Sequence, residues 1–185
     1  MAPDPPIVTL LDACAVVSLF ATRRMDDILA AAHGRFAVAD IVSREAQFVF
    51  RGGSGPDARE REPVELQPLI ECGKLDVAAT DDEETLFTFI DLAQQIDEGE
   101  AMTGAIAFHR RCTVVTDDKK AIRVLTAHGV PILSTLDIVK QWVEHESIDA
   151  ATLGKVLSDL RDRGHYEPPR THPLRAWWDQ SIALK

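Results

Sequence analysis

What most constrains this chain is a succession of short apolar runs that alternate with stretches of helical periodicity. The runs are Ile7-Val8-Thr9-Leu10-Leu11, Phe36-Ala37-Val38, Leu75 to Ala79, Thr113-Val114-Val115 and Val130-Pro131-Ile132-Leu133. The most apolar and β-branched of them have the pattern of strands buried on both faces. Strands alternating with helices pair in parallel, because each return needs a crossover, and the helices then cover both faces of the sheet. The expected fold class is therefore α/β, three α/β/α layers around a central, mostly parallel sheet.

The helical stretches follow the same logic. Residues 13–20 and 26–32 read as helices, with Gly34 as a stop before the second strand. Asp40 is placed to cap a helix carrying Ile41, Ala46, Val49 and Phe50, which Gly52-Gly53-Ser54-Gly55-Pro56 breaks; the charged stretch through Glu62 reads as a loop. A brief helix is expected around Leu66 to Cys72. Thr80-Asp81-Asp82-Glu83 has the capping-box pattern, followed by Leu86, Phe89, Ile90, Ala93 and Ile96 at helical spacing. Gly99 opens a helix with Ala101, Ala105, Ile106 and Phe108; Asp117-Asp118 starts one with Ile122 and Leu125; Ser134-Thr135-Leu136-Asp137 starts one with Val139 and Val143. Beyond Ser147, Leu153, Val156, Leu157 and Leu160 mark a further amphipathic helix ending at Gly164, before Pro168-Pro169 and Pro173. This divides the chain into a domain over residues 1–146 and a helical extension over 147–185 that packs on the domain or on a partner.

With 185 residues and 45% hydrophobic composition, the chain can bury a substantial core. Cys14, Cys72 and Cys112 show neither disulfide-framework nor zinc-ligand spacing, which fits a reducing cytoplasm. The apolar run from Ile7 to Ala21 lacks a preceding basic region and carries Asp12, so it reads as neither signal peptide nor membrane span, and the protein reads as soluble. A net charge of -10 and a pI near 5.0 count against nucleic-acid binding through bulk positive charge. The charge is uneven, however: Leu75 to Phe108 holds no Lys or Arg, and Arg110, Arg111, Lys119, Lys120 and Arg123 follow closely.

In a parallel sheet, ligands gather at the carboxyl ends of the strands. Asp12 follows one strand, and Asp117 and Asp118 follow another; Glu45 and Glu100 lie on the helices between. Carboxylates converging there would repel unless a cation neutralised them, and Mg²⁺ or Mn²⁺ prefers such an oxygen set. A metal so held can activate water and stabilise a departing oxygen, which makes phosphodiester hydrolysis the natural chemistry.

Singly, these residues have plainer readings. Asp12 or Asp117 is an ordinary helix cap, and Glu45 or Glu100 an ordinary solvated position. Cys14, with no companion His motif, is a small buried hydrophobe rather than a nucleophile. His109, His128 and His145 sit at or near helix ends, as do the basic residues after Phe108; His165 and His172 lack metal-ligand spacing; and Trp177-Trp178 packs back onto the domain.

In their order along the chain, Leu10-Leu11-Asp12-Ala13-Cys14, Ser43-Arg44-Glu45-Ala46, Gly99-Glu100-Ala101 with Ala105-Ile106-Ala107, and Val114-Val115-Thr116-Asp117-Asp118-Lys119-Lys120-Ala121 resemble the PIN domain, especially toxin nucleases of the VapC kind. Gly129-Val130-Pro131 with Ser134-Thr135-Leu136 resembles the later part of one PIN subgroup. The resemblance covers roughly the first three quarters of the chain. It implies a PIN-like fold and a ribonuclease using Mg²⁺ or Mn²⁺, with Asp12, Glu45, Glu100 and Asp117 or Asp118 as the acidic set and Thr116 in support. It also implies an RNA substrate, an antitoxin protein as partner, and a homodimer. The chain departs from commoner family signatures at Glu100 and Ala13-Cys14.

A haloacid-dehalogenase-type phosphotransferase needs a second Asp where Cys14 stands, and a response-regulator receiver needs its acidic pair at the first strand. The alternative with weight is a PIN-like module of little or no catalytic activity that acts through protein binding.

Overall fold

The structure is a computed structural model and describes residues 8–31, 34–45, 47–53 and 55–183. Ile7, Ala32, Ala46 and Ser54, each assigned to an element or break above, lie outside the described residues. In chain order the elements are β1 (Val8–Leu11), α1 (Ala13–Ala21), α2 (Met25–Ala31), β2 (Arg35–Ala39), α3 (Asp40–Arg44), β3 (Phe48–Phe50), a 3-10 turn (Pro56–Arg59), β4 (Arg61–Pro63), α4 (Gln67–Glu71) and β5 (Leu75–Ala78). Then follow α5 (Glu83–Ala93), α6 (Glu98–Arg110), β6 (Thr113–Val115), α7 (Lys119–Ala127), β7 (Ile132–Leu133), α8 (Thr135–Glu146), α9 (Ala150–Gly164) and α10 (Arg175–Ile182).

The main sheet has five strands in the order β5-β2-β1-β6-β7, every neighbouring pair parallel. β1 takes the centre because its apolar run tolerates burial on both sides: Leu10 and Leu11 are fully buried. From β1 the chain first builds outward through β2 to β5, then returns to the other side of β1 with β6. Strand order therefore reverses at β1, which opens a crevice beyond the carboxyl ends of β1 and β6.

Two compact units make up the chain: Met1–Ala15, His33–Glu45 and Leu66–Ser134 form one, and Val16–Ala32, Ala46–Glu65 and Thr135–Lys185 form the other. The first holds the five-stranded sheet with α3 to α7. Within it α5 packs along α6, and α6 lays Ala101, Ala105, Ile106 and Ala107 into the core beside β1, β2 and β6.

The second unit is organised by one buried cation. Arg163 on α9 is 1% exposed; its Nε donates to the Ala21 carbonyl at 2.9 Å, and its Nη1 to the Arg51 carbonyl at 2.9 Å and Glu62 Oε2 at 3.2 Å. Gly52 lies against its stem: with φ at +74°, it offers the left-handed backbone that glycine adopts freely, and a Cβ there would fall 2.7 Å from Arg163 Cγ. In the same unit α2 packs on α8, and α9 on β3 and α10. Trp178 is buried, its ring edge-on to Tyr166 at 5.9 Å, where α10 packs on α9.

Several expectations are corrected. The helix expected from Asp40 to Phe50 ends at Arg44; Phe48–Phe50 is instead a strand, antiparallel to Arg61–Pro63, so the loop expected through Glu62 gives way to β4 at Arg61. The Phe-Val-Phe sequence favours a strand, and the loose apolar spacing gave a longer helix no continuous stripe to bury. Asp82 caps α5, its Oδ2 accepting the Thr85 N–H at 2.9 Å and hydroxyl at 2.6 Å, whereas Thr80 precedes the cap. α7 begins after Asp118 alone, and α10 forms beyond the prolines. Among the described residues no helix is long and apolar enough to cross a membrane.

Candidate functional site

Asp12 is the first residue past β1, and its N–H continues the ladder to the Val115 carbonyl at 3.1 Å. This fixes the side chain at the crevice, where it is 2% exposed. Oδ1 accepts the Cys14 N–H at 2.5 Å at the start of α1, whereas Oδ2 is buried without a hydrogen-bond partner. Burial pushes the carboxyl pKa up, opposed by Thr116, Cys14 and the first N–H groups of α1. An orphaned buried carboxylate oxygen costs about 1–3 kcal/mol or more, a cost that a proton or a cation at Oδ2 would remove.

Across the crevice, Thr116 is anchored by its N–H on the Leu133 carbonyl at 3.0 Å and is fully buried. Its hydroxyl accepts the Asp118 N–H at 3.2 Å and lies 3.6 Å from Cys14 Sγ, which in turn accepts the Asp117 N–H at 3.3 Å. Burial, then the negative charge of Asp12, holds the Cys14 thiol far above its ordinary range. Cys14, half-buried and in polar contact with Thr116 and Asp117, is a neutral linker between the ends of β1 and β6.

Asp118 is the N-cap of α7: its Oδ1 accepts the Lys120 and Ala121 N–H groups at 2.7 and 2.8 Å. Glu100 sits in the first turn of α6, where its Oε2 accepts the Asp97 N–H at 3.2 Å in a reciprocal capping box. Burial first, then the charges of Asp118, Asp12 and Asp97, push the Glu100 pKa up to about 7, although the Asp97 N–H works the other way. Asp12, Glu100 and Asp118 thus share one electrostatic field, whereas the charge of Asp117 is felt at Cys14.

Glu45 approaches the start of α6 from the other side of the sheet's centre strand, at the end of α3. It is the C-cap of α3, in extended backbone, with its side chain directed over the start of α6. A Cβ on Gly99 would stand 2.7 Å from Glu45 Oε1 and 3.4 Å from Val42 Cγ2, so glycine is the residue that leaves room for this carboxylate beside Glu100. The sequence reading missed Asp97, whose signal was present: Asp97-x-x-Glu100 is itself a capping-box spacing.

Of the positions read as helix-end groups, His128 turns back on its own helix, whereas His109 and Arg110 reach other elements. His128 Nδ1 lies 2.8 Å from the Val124 carbonyl, His109 Nε2 lies 2.8 Å from the Thr88 hydroxyl, and Arg110 donates to the Ala79 carbonyl at 2.7 Å.

Among the described residues, no three His, Cys, Asp or Glu side chains stand close enough to clasp a metal unaided. The donor set nevertheless fits a hard divalent cation: its members are carboxylates, one presents an unpartnered buried oxygen, and their mutual repulsion is what a cation relieves.

A family model described as a PIN domain matches residues 8–173. The chain belongs to the PIN domain family. No curated protein matches it. PIN domains are generally nucleases and typically use divalent metals, so the chain has a nuclease-type fold, and its parallel sheet flanked by helices is the PIN-like α/β/α architecture. In this PIN domain, the strand-order reversal at β1 and the acids around it occupy the same edge of the sheet.

Proposed function

We propose that this PIN domain is a metal-dependent endoribonuclease that hydrolyses RNA phosphodiesters at the carboxyl edge of β1 and β6. The observation that carries the reading is the buried, unpartnered Oδ2 of Asp12 in the same field as Glu100 and Asp118. Asp12, Glu100 and Asp118 would hold Mg²⁺ or Mn²⁺, with Asp117 and Glu45 beside them. When bound, the ion supplies Lewis-acid polarisation of a phosphoryl oxygen and makes water a better nucleophile.

The chain's own residues have separate tasks. Asp12 is locked by the Cys14 N–H and by burial, so its free oxygen points one way. Glu100, its pKa raised by burial and by the neighbouring carboxylates, would become fully ionised on binding the cation, which offsets that repulsion. Asp118 is oriented by two N–H groups of α7, and the Thr116 hydroxyl holds the backbone that presents it. RNA rather than DNA is proposed from the resemblance to toxin nucleases. The same resemblance extends the proposal to a cytoplasmic toxin with an antitoxin partner, whose Arg would fill the acidic site, and to a homodimer.

Labelled single-stranded RNA and DNA, incubated with wild type or Asp12→Asn in Mn²⁺, Mg²⁺ or chelator, test this reading. Metal-dependent cleavage of RNA that is lost in the variant is the expected result; equal inertness of both proteins sinks it. A second reading, a module that binds a protein and cuts little or nothing, draws support from Asp118, whose Oδ1 already serves two helix N–H groups. Inertness together with undetectable Mn²⁺ binding would favour it.

A further inference from the structure

We propose that the cleft at the carboxyl ends of β2 and β5 receives an unpaired nucleobase of the strand whose backbone crosses the acidic site. Ile41, Ala79 and Met102 form its apolar walls and Arg44 its rim. The proposal rests on the nuclease reading and adds where, and in what conformation, the substrate binds.

The cleft has a volume of about 390 Å³, is mainly apolar, and is bounded by Ile41, Arg44, Glu45, Ala79, Thr80 and Met102. That lies near the lower end of ligand-pocket sizes, roughly 300–1,000 Å³, and suits one planar ring rather than a duplex. Glu45 lines the cleft, and its carboxylate also lies over Gly99, the residue before Glu100. β2 lies one strand spacing and β5 two from β1, so the cleft opens about 5–10 Å from the strand that leads into Asp12. A neighbouring nucleotide of the same strand can bridge that separation.

Charge argues for the same occupant. The chain carries a net charge of -10 and the cleft is lined by the Asp40 and Glu45 carboxylates, yet Arg44 also lines it and Arg110 reaches its wall, so two guanidinium groups offset those acids. Arg44 is 73% exposed and is paired with Asp40 on its own helix, where a phosphate can compete for it. Arg110 is pinned on the carbonyl of Ala79, in the cleft wall. Every base has an apolar face, so such a slot tolerates sequence; a paired base would first have to leave its stack, at a cost of a few kcal/mol, so single strands are favoured.

Binding rather than cleavage is the readout: fluorescence anisotropy of a labelled single-stranded oligoribonucleotide, at low salt without divalent metal, on the Asp12→Asn protein. Adding Ala79→Trp, which fills the cleft from an exposed position, is expected to weaken binding about tenfold. An oligonucleotide made abasic at successive positions is expected to show one position where the loss matches that of Ala79→Trp and where the substitution adds nothing further. A hairpin duplex of the same strand is expected to bind more weakly and to ignore the substitution. If thermal melting shows that Ala79→Trp unfolds early, Met102→Ala is read in its place, with a several-fold loss expected. Unchanged affinity in the filled variant, or an equal loss with every abasic oligonucleotide, overturns the proposal. Inertness of the wild type in the cleavage assay would remove the nuclease reading while leaving this binding result legible.

Discussion

Arg163 and Asp12 are both buried charges, and the chain treats them in opposite ways. Arg163 spends its guanidinium on two backbone carbonyls and the Glu62 carboxylate, within a unit where it joins α9 to the β3–β4 hairpin and to the end of α1. Asp12 has one oxygen satisfied by a backbone N–H and the other left without a partner. A buried charge with its partners in place locks a structure; one with an open valence is held ready for something else. The difference between satisfied and unsatisfied burial, rather than burial itself, separates the structural ion from the candidate functional one.

Removing each charge would separate the two roles most sharply. Arg163→Ala leaves two carbonyls and Glu62 without their donor, and a loss of about 3–4 kcal/mol in unfolding free energy is expected from urea denaturation. Arg163→Lys should recover only part of this, because an ammonium cannot reach three acceptors with the same planar fork. A loss below about 1 kcal/mol would mean that the buried guanidinium is not what holds the second unit together.

Asp12→Asn should behave in the reverse manner. The variant keeps the shape and removes the desolvated charge, so thermal stability in chelator should stay level or rise, while Mn²⁺-dependent stabilisation of the melting temperature disappears. Cleavage should fall by about 100-fold or more, equivalent to roughly 2.7 kcal/mol of transition-state stabilisation. A destabilised Asn variant that still responds to Mn²⁺ would place Asp12 with Arg163, as structure.

The contrast also has a pH signature. Glu100 binds its proton with a pKa of about 7 in the folded chain against an ordinary 4.5, so the folded state holds more protons than the unfolded one between those values. Its contribution to stability is full below about pH 4.5 and is lost as pH rises through 7. The raised Asp12 pKa acts in the same direction. Partial solvent exposure reduces the effect to on the order of 1 kcal/mol, measurable as a fall in chelator between pH 5 and 8 that Glu100→Gln flattens. Saturating Mn²⁺ should reverse the trend, because the cation favours the ionised carboxylates.

How legible these features were depended on whether their cause was local. The parallel sheet could be read because Val8 to Leu11 and Thr113 to Val115 are too short and too apolar for any other buried role. The candidate site was legible through order along the chain, since Asp12 and Asp118 each follow a strand that the fold brings side by side. The β3–β4 hairpin was not, because the pairing of Phe48–Phe50 with Arg61–Pro63 is a property of both segments together, and the second, by itself, is charged and carries a proline. Arg163 was invisible for a similar reason: its acceptors come from residues 21, 51 and 62, and nothing near it on α9 announces that it is buried.

Gly99→Ala sharpens the comparison at its finest scale. Alanine is the better helix former by about 1 kcal/mol, and at an ordinary first-turn position the substitution would be neutral or stabilising. Here the added methyl would meet Glu45 Oε1 at 2.7 Å, and the carboxylate, at the end of a flexible side chain, can swing away with little strain. The expected outcome is therefore unchanged or slightly raised thermal stability together with a two- to fivefold weaker Mn²⁺ response, equal to roughly 0.4–1 kcal/mol. Ala101, two residues on, is fully buried in the core, and enlarging it to Val should do the opposite: lower stability while leaving the Mn²⁺ response of the folded protein intact. If Gly99→Ala costs stability and spares the metal response, then Glu45 stands over α6 as packing, and the acidic set contracts to Asp12, Glu100 and the Asp117-Asp118 pair.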